Sequence, residues 1–217
     1  VDIEKTLLTT ISSVKIFNKL KLKYFIFTSS PVIYGEVNKP INKYSKELPI
    51  SNYGFSKLFS EKYILKAINK NSSVWIFRFP NVVGPLLTHG ILFDFNIKLK
   101  KNNKYLKVLG NGQQKKPYLH VDDIIKGITI PIRKKLINKK FIYNLSPKDN
   151  GIEISKIAEL FIKLKKLNIP IIYEGGIRGW EGDVPKYSYD YKDKQDIKWE
   201  PKFNSLSSIK KAIKDIL

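Results

Sequence analysis

The 217-residue sequence predicts an α/β fold with a parallel sheet, because helical and extended patterns alternate along its first half. Apolar residues recur at helical spacing up to about Leu20, and an apolar run over 24–28 predicts a buried strand. A helix after Ser51 and a second apolar strand over 74–79 repeat that order. Alternation of this kind is typical of parallel strands joined by crossover helices.

The second half of the sequence predicts shorter elements. Further helices are expected over 91–99, from residue 121, over 153–167 and over 206–217. Further strands are expected over 106–109, 141–145 and 171–173. Prolines and glycines predict a rigid turn over 80–85, a turn over 110–112 and irregular backbone over 175–185.

The composition is strongly basic, with a formal net charge of +21 and a pI near 9.8. Such a charge favours anionic partners, so nucleic acid has to be considered. Only Arg78, Arg133 and Arg178 are arginines among 40 basic residues, and the lysines are scattered without a stripe of interleaved aromatic residues. We therefore expect a solvated basic surface that attracts anionic small molecules, and no nucleic-acid partner.

Several classes of site are missing from the sequence. Without cysteine the chain has no disulfide, no thiolate nucleophile and no thiolate metal site. His89 and His120 are its two histidines, and they lie too far apart in sequence to suggest a metal site. No apolar run approaches the roughly 20 residues of a membrane span, and no secretory signal is visible. We expect a cytoplasmic protein with no metal and no membrane partner.

The strongest candidate for chemistry is the pair Tyr53 and Lys57. Ser51 or Asn52 can cap a helix here, and residues four apart share one helix face. A lysine ammonium beside a phenol favours the phenolate, although the reference pKa of tyrosine is about 10. The strand over 24–28 ends in hydroxyl residues, at the edge where open α/β sheets hold ligands. The combination suggests a proton relay for an alcohol or sugar hydroxyl, although such a Tyr–Lys pair alone is common by chance.

Five segments of the chain occur in an order that is familiar from one family. They are Thr28-Ser-Ser-Pro-Val-Ile-Tyr-Gly35, Tyr53-Gly-Phe-Ser-Lys57, Arg78-Phe-Pro-Asn-Val-Val-Gly-Pro85, Gly110-Asn-Gly-Gln-Gln-Lys-Lys-Pro-Tyr-Leu-His-Val-Asp-Asp123 and Arg178-Gly-Trp-Glu-Gly-Asp-Val-Pro185. With them the chain closely resembles the extended short-chain dehydrogenases/reductases, in particular the NAD-dependent nucleotide-sugar epimerases of the UDP-glucose 4-epimerase type.

The resemblance implies the C-terminal portion of a Rossmann-like parallel sheet with a smaller α+β substrate-binding domain. It places the partial NAD-binding domain at 1–83 and 118–145 and the substrate domain at 84–117 and 146–217. Relatives commonly pair as homodimers through the helix that carries Tyr53 and the one before it. Leu58, Ile64 and Leu65 are then candidate interface residues, although core packing explains them equally well.

The resemblance also implies roles for residues around the reacting atoms. Tyr53 is the expected catalytic acid/base, and Lys57 lowers its pKa and hydrogen-bonds the nicotinamide ribose. Ser30 is the third catalytic residue and holds the sugar hydroxyl. The remaining residues expected at the NAD cofactor are Thr28, Ser29 and Pro80.

The substrate implied is a nucleotide sugar, most simply a UDP-sugar, contacted by Ser30 and by residues farther along the chain. Asn81 is expected at its diphosphate, although turn formation is an alternative role. Lys116 stands where many relatives have an arginine on the diphosphate, and Arg178 resembles a second phosphate-binding arginine. Both could instead be ordinary surface charges. Asp183 completes the expected substrate set.

The implied reaction is reversible hydride transfer to NAD through a 4-keto sugar, with proton transfer by Tyr53. A 4,6-dehydratase is disfavoured because Pro31 and Val32 follow Ser30, where dehydratases need acidic residues. Another nucleotide-sugar reductase of the family remains open. So do a non-catalytic, truncated remnant that binds sugar nucleotides and, as a third class, a nucleic-acid binder with steep salt dependence.

One expected part of an NAD site is missing. The family places a glycine-rich turn, G-x-x-G-x-x-G, after a first strand, and we expect no such motif in this chain. The sequence has no methionine and opens on a helical pattern, so we expect it to be truncated at its N-terminus. The hypothesis that follows is weak NAD binding and no activity by these 217 residues alone. A stoichiometric NAD complex seen by calorimetry would contradict it.

Overall fold

The structure is a computed structural model that describes residues 2–136, 140–180, 182–190 and 197–217. The helices are α1 (Asp2–Lys19), α2 (Asn52–Ala67), α3 (Ile91–Lys101), α4 (Val121–Ile128), α5 (Ile130–Arg133), α6 (Ile154–Leu164) and α7 (Ser205–Asp215), with a 3₁₀ helix over Pro31–Tyr34. The strands are β1 (Tyr24–Ser29), β2 (Ser73–Arg78), β3 (Asn81–Val83), β4 (Leu106–Val108), β5 (Lys115–Lys116), β6 (Tyr118–His120), β7 (Lys140–Asn144), β8 (Ile152–Glu153) and β9 (Ile171–Tyr173).

The central sheet is parallel, in the order β1-β2-β7, as the alternating pattern predicts. Every residue of β2 is buried, because helices and loops cover both faces of the sheet. On one face α1 and α2 pack over Val74 and Ile76. On the other face Trp75 and Phe77 join a second cluster that includes Tyr143. The α/β fold class predicted from the sequence is confirmed.

A second core lies under α3, α6 and α7. Phe95 and Phe161 meet edge to face, with ring centroids 5.4 Å apart, and Ile213 of α7 is fully buried in the same cluster. Three two-stranded pairs surround it: β3 with β6 and β4 with β9 in parallel, and β5 with β8 antiparallel. Helix α7 packs against the strand β6. The domain boundaries expected from the sequence stay a prediction.

Three expectations about local structure are wrong. The rigid turn over 80–85 contains β3, because Asn81–Val83 pairs with Tyr118–His120. The helix expected over 153–167 ends at Leu164, and Lys166 has a φ of 55° that a continuing helix does not allow. Ile64 is no interface residue, since it is fully buried in the core between α1, α2 and the sheet.

A buried ionic network joins the sheet to α2. Arg78, the last residue of β2, donates from Nε to both carboxylate oxygens of Glu61 at 3.0 and 3.2 Å. Its Nη1 donates to the hydroxyl of Tyr34 at 2.8 Å, and that hydroxyl donates to Asn144 at 2.9 Å. Its Nη2 binds Glu61 again and also Glu47. One guanidinium therefore fixes β2, α2, the 3₁₀ helix and β7 relative to one another.

Crossing a bilayer requires a helix that is both long and apolar, and none of the helices in the described ranges meets that requirement.

Glu61→Gln is expected to lower the free energy of unfolding by about 3 kcal/mol, because it leaves the buried guanidinium of Arg78 partly unpaired. Urea denaturation followed by circular dichroism measures the change. Glu159→Gln is the matched control, since Glu159 is paired with Lys156 on the exposed face of α6 and its loss should not be measurable. Equal effects of the two substitutions would contradict a structural role for the Arg78–Glu61 pair.

Candidate active site

The carboxyl end of β1 places two serines beside the end of β2. Ser29 is buried, pairs in register with Arg78, and its hydroxyl has no hydrogen-bond partner among the described residues. Ser30 caps the 3₁₀ helix, because its Oγ accepts a hydrogen bond from the N–H of Val32 at 3.5 Å. Both hydroxyls therefore lie at the edge of the sheet that binds ligands in open α/β folds.

The start of α2 is fixed by a cap and by close packing. The Ser51 side chain accepts a hydrogen bond from the N–H of Gly54 at 3.1 Å, so Ser51 is the N-cap. A Cβ at Gly54 would lie 2.8 Å from Pro49 Cβ and 2.9 Å from Val32 O. Only glycine lets the helix approach the 3₁₀ segment this closely. Tyr53 therefore stands in the first turn of α2, next to the segment that carries Ser30.

Lys57 follows Tyr53 by one turn and reaches back to β1. Its Nζ donates to the carbonyl of Thr28 at 3.0 Å and lies 5.8 Å from the centroid of the Tyr53 ring. The backbone carbonyls of Lys23 and Ser29 accept hydrogen bonds from the chain at the two ends of β2. Because carbonyl directions alternate along a strand, the carbonyl of Thr28 points away from β2. Burial lowers the pKa of Lys57, and the charge of Glu61 acts in the opposite direction.

A cavity of about 890 Å³ opens beside these residues. Seven of the residues predicted from the sequence line it: Ser29, Ser30, Tyr53, Pro80, Asn81, Lys116 and Asp183. Tyr53 is 37 % exposed, so its ring is accessible from the cavity. Thr28 and Lys57 do not line the cavity. Thr28 precedes Ser29 in β1, and Lys57 lies beside the ring of Tyr53. The fold thus brings together residues that the sequence separates by more than 150 positions, while their individual roles stay predictions.

The basic residues expected at the diphosphate are both engaged by protein groups. Lys116 forms an ion pair with Asp183, whose second carboxylate oxygen accepts from the N–H of Gly179 at 3.1 Å. Arg178 does not line the cavity. It donates to the carbonyl of Asp183 and to the exposed carboxylate of Glu36.

Asn81 lies on the cavity wall with its amide held in place. Its Nδ2 donates to the carbonyl of Pro117 at 3.3 Å and to the hydroxyl of Tyr187 at 3.2 Å. Tyr187 and Tyr118 also line the cavity, and burial raises the pKa of both, so both are neutral phenols at physiological pH. The sequence analysis missed these two tyrosines. The phenol that holds Asn81 lies 106 positions away in sequence, and no local pattern signals that contact.

A metal site and a phosphate-binding glycine turn are two further kinds of site to consider. In the described part of the chain no three His, Cys, Asp or Glu side chains are grouped to hold a metal. Gly176, Gly179 and Gly182 have the spacing of a phosphate-binding glycine turn, and they follow β9. However, the next helix in the described residues is α7, which begins only at Ser205, so this glycine segment does not form a strand–turn–helix cradle.

Residues 2–146 match the sequence model of the NAD dependent epimerase/dehydratase family. The chain belongs to this family. A Bacillus subtilis (strain 168) protein described as an uncharacterized UDP-glucose epimerase is 33 % identical over 116 residues, which cover 52 % of this chain and 36 % of that protein. A putative UDP-glucose 4-epimerase of Methanocaldococcus jannaschii is 28 % identical over 227 residues, covering 98 % of this chain and 69 % of the relative.

Solved structures support the fold. A crystal structure of UDP-galactose 4-epimerase superposes with a TM-score of 0.83 at 23 % identity and covers 99 % of this chain and 70 % of its own. A Bifidobacterium longum UDP-glucose 4-epimerase in complex with NAD⁺ and UDP gives 0.81 at 22 % identity, with 98 % and 69 % covered. At these identities the likeness establishes the fold alone.

NAD is the cofactor of the family, and the residues at the end of β1 fit its nicotinamide end. The buried hydroxyl of Ser29 lacks a partner in the described structure and can bond a polar group placed in the cavity. Pro80 is buried on the same wall, and the Lys57 ammonium lies beside Thr28. These features are compatible with the prediction that the residues hold the nicotinamide and its ribose, which stays a prediction.

Asp183→Asn is expected to lower the free energy of unfolding by about 2 kcal/mol, because Lys116 loses its partner inside the cavity wall. Thermal or urea denaturation measures it. Glu174→Gln is a suitable comparison, since it removes an exposed ion pair with Lys107 and should leave stability unchanged. If Asp183→Asn is as neutral as Glu174→Gln, the Lys116–Asp183 pair does not hold the wall in place.

Proposed function

We propose that this chain carries the proton-transfer and substrate-binding part of an NAD-dependent nucleotide-sugar epimerase that interconverts UDP-glucose and UDP-galactose. The observation that carries the proposal is the convergence of Tyr53, Ser30 and Lys57 at the carboxyl end of β1, beside a cavity that a nucleotide sugar can enter. The assignment of these three roles rests on that geometry and on the family membership.

In the proposed mechanism Ser30 holds the C4 hydroxyl of the hexose with its own hydroxyl. Tyr53, as phenolate, takes the proton of that hydroxyl while the C4 hydrogen leaves as hydride, and a C4 ketone forms. NAD, when bound, supplies the hydride acceptor and then the hydride donor. When the ketone presents its other face and is reduced again, Tyr53 would return the proton to the C4 oxygen. The sugar is neither oxidised nor reduced overall.

The protein contributes charge and orientation to this chemistry. The ammonium of Lys57 stabilises the phenolate of Tyr53, and its hydrogen bond to the Thr28 carbonyl fixes it 5.8 Å from the centroid of the Tyr53 ring.

Lys116 lines the cavity and is the proposed contact to the diphosphate. Asn81 can donate to the diphosphate only after its amide leaves the carbonyl of Pro117 or the hydroxyl of Tyr187. Lys116 would interact with the diphosphate as a point charge while it stays paired with Asp183. Arg178 would contact the diphosphate only after its guanidinium releases Glu36.

A second reaction of the same family has to be weighed. A Dictyostelium discoideum protein named dTDP-D-glucose 4,6-dehydratase is 31 % identical over 165 residues. Elimination of water needs a proton donor beside the keto sugar. Pro31 and Val32 follow Ser30 in the 3₁₀ helix, and neither can supply one. This favours the epimerase over the dehydratase. A reductase, and a chain that binds nucleotide sugars without turning them over, stay alternatives.

We also propose that the partner of this chain is a second copy of itself, packed on the outer face of α1 and α2. Phe55 and Phe59 stand one turn apart on α2 and are 56 % and 53 % exposed, and Leu8 of α1 is 56 % exposed. The two helices pack against each other, so these side chains can form one apolar surface. Leu65 and Leu58, proposed as interface residues from the sequence, are instead half-buried against the core.

Tyr53→Phe is expected to reduce the rate of UDP-glucose to UDP-galactose conversion by at least about 100-fold, because it removes the group that exchanges the proton. The protein expressed from its complete open reading frame, supplied with NAD, is assayed by chromatography of the sugar nucleotides. Binding of UDP-glucose, measured by calorimetry, should persist.

Tyr63→Phe is the control, because Tyr63 lies on the same helix and packs against the core instead of the cavity. It should leave the rate unchanged. A Tyr53→Phe protein that keeps its rate removes Tyr53 from the mechanism. A wild-type protein that binds UDP-glucose without converting it favours the non-catalytic alternative.

Phe59→Glu is expected to convert a dimer into a monomer, because a carboxylate in a buried apolar interface is strongly unfavourable. Sedimentation velocity measures the change in mass. Leu48→Glu places the same charge on an exposed apolar residue of another segment and should leave the dimer intact. A wild-type protein that sediments as a monomer rules out this interface.

A further inference from the structure

Trp180 is an exposed aromatic residue in the wall of the cavity. Its side chain is 53 % exposed and it lies in the segment between β9 and α7. The other two tryptophans of the chain have structural positions: Trp75 is buried in the core, and the indole N–H of Trp199 donates to the carbonyl of Asp123. An indole that is left accessible beside a cavity is a typical ligand contact, since it offers a large rigid apolar face.

The glycines that flank Trp180 lie close to two different parts of the chain, Leu109 and Ser51. At the first end of the segment around Trp180, a Cβ at Gly110 would lie 3.0 Å from the carbonyl of Arg178, and a Cβ at Gly179 would lie 4.0 Å from Leu109. At its other end, a Cβ at Gly182 would lie 3.0 Å from Ser51 and 3.3 Å from the indole of Trp180. The indole is therefore on the side of the α2 N-cap, two residues before Tyr53.

The backbone around Trp180 is held in place by Asp183. The N–H of Asp183 donates to the carbonyl of Trp180 at 3.1 Å, and its carboxylate accepts from the N–H of Gly179 at 3.1 Å. Arg178 donates to the carbonyl of Asp183. Residues on both sides of the indole are thus tied to one buried aspartate. A side chain on such a fixed support can contact a ligand with little loss of conformational entropy.

We propose that Trp180 is a substrate-binding residue whose indole packs against the hexosyl ring of the nucleotide sugar. This inference rests on the proposed function, because the reacting sugar carbon must come within hydrogen-bond reach of Tyr53. The indole packs beside Gly182, which closely approaches Ser51, the N-cap of the helix that carries Tyr53 in its first turn. The C–H face of a pyranose is apolar and packs against an aromatic face. Trp180 carries no charge, so it forms no ion pair with the diphosphate.

The test compares two ligands that differ only in the hexosyl group. UDP-glucose and UDP are titrated by calorimetry, with NAD present, into the protein expressed from its complete open reading frame. Trp180→Ala is expected to weaken UDP-glucose binding by about tenfold and UDP binding by less than about twofold, since a lost aromatic contact is worth about one factor of ten. Trp180→Leu keeps apolar bulk and provides the same comparison if the alanine variant does not fold.

Ile177→Ala is the matched control. Ile177 lies in the same segment and is similarly exposed, but it does not line the cavity, so neither affinity should change. Equal weakening of UDP and UDP-glucose by Trp180→Ala would place the indole against the nucleotide and overturn the inference. Unchanged affinities would overturn it as well. A wild-type protein that binds neither ligand would overturn the proposed function together with this inference.

Discussion

The ion pair between Arg78 and Glu61 determines where the candidate catalytic residues lie. Tyr53, Lys57 and Glu61 stand four residues apart on α2, so they share one face of the helix. Arg78 ends β2 and is paired in register with Ser29 at the end of β1. When the guanidinium holds Glu61, it therefore fixes the rotation of α2 and turns Lys57 and Tyr53 toward the carboxyl end of β1.

The same pair explains why a charged network can exist inside an α/β core. An unpaired guanidinium among buried strands is strongly unfavourable, whereas one with two carboxylates and a phenol has all its strong partners. Such a network contributes little net stability compared with an apolar core, but its geometry is restrictive. It is best understood as a constraint on the position of α2.

Much of the site could be predicted from the sequence, because its parts have local signals. The order of helices and strands followed from apolar periodicity, and Ser51, Tyr53 and Lys57 lie in one short stretch with a recognisable helix cap. The hydroxyl run Thr28-Ser29-Ser30 was recognised from its place at the end of a strand, and the choice of Ser30 came from the family resemblance. In the structure Ser30 and Tyr53 line the same cavity, and Lys57 donates to the carbonyl of Thr28 at the end of β1.

Other parts carry no local signal. The partners of Arg78 are 17, 31 and 44 positions away, and Arg78 itself is the single charge in an apolar strand, so its role emerges only when the helix is packed on the sheet. The strands β5 and β8 have two residues each, too few for a periodic pattern. Arg178 was expected at the substrate, yet its side chain bonds Glu36 and the backbone of Asp183. The partners of an exposed charged side chain depend on the tertiary structure, and the spacing of residues along the sequence does not show them.

The strong positive charge of the chain is not concentrated in the wall of the cavity. Among the basic residues in the described part of the chain, Lys116 lines the cavity and is paired there with Asp183. The scattered lysines can raise the local concentration of an anionic substrate through a long-range field. Neutral polar and aromatic groups line the cavity beside Lys116, namely the Asn81 amide, the phenols of Tyr118 and Tyr187 and the Trp180 indole. A basic composition is thus compatible with a small-molecule enzyme.

The most direct test of the account follows the hydrogen at C4 of the sugar. UDP-glucose with deuterium at C4 is incubated with NAD and the protein expressed from its complete open reading frame, and the product is examined by mass spectrometry and NMR. The account predicts UDP-galactose that retains the deuterium at C4, because the hydride leaves and returns within one site while Tyr53 exchanges only the hydroxyl proton. UDP-galactose in which solvent hydrogen has replaced the deuterium would contradict it.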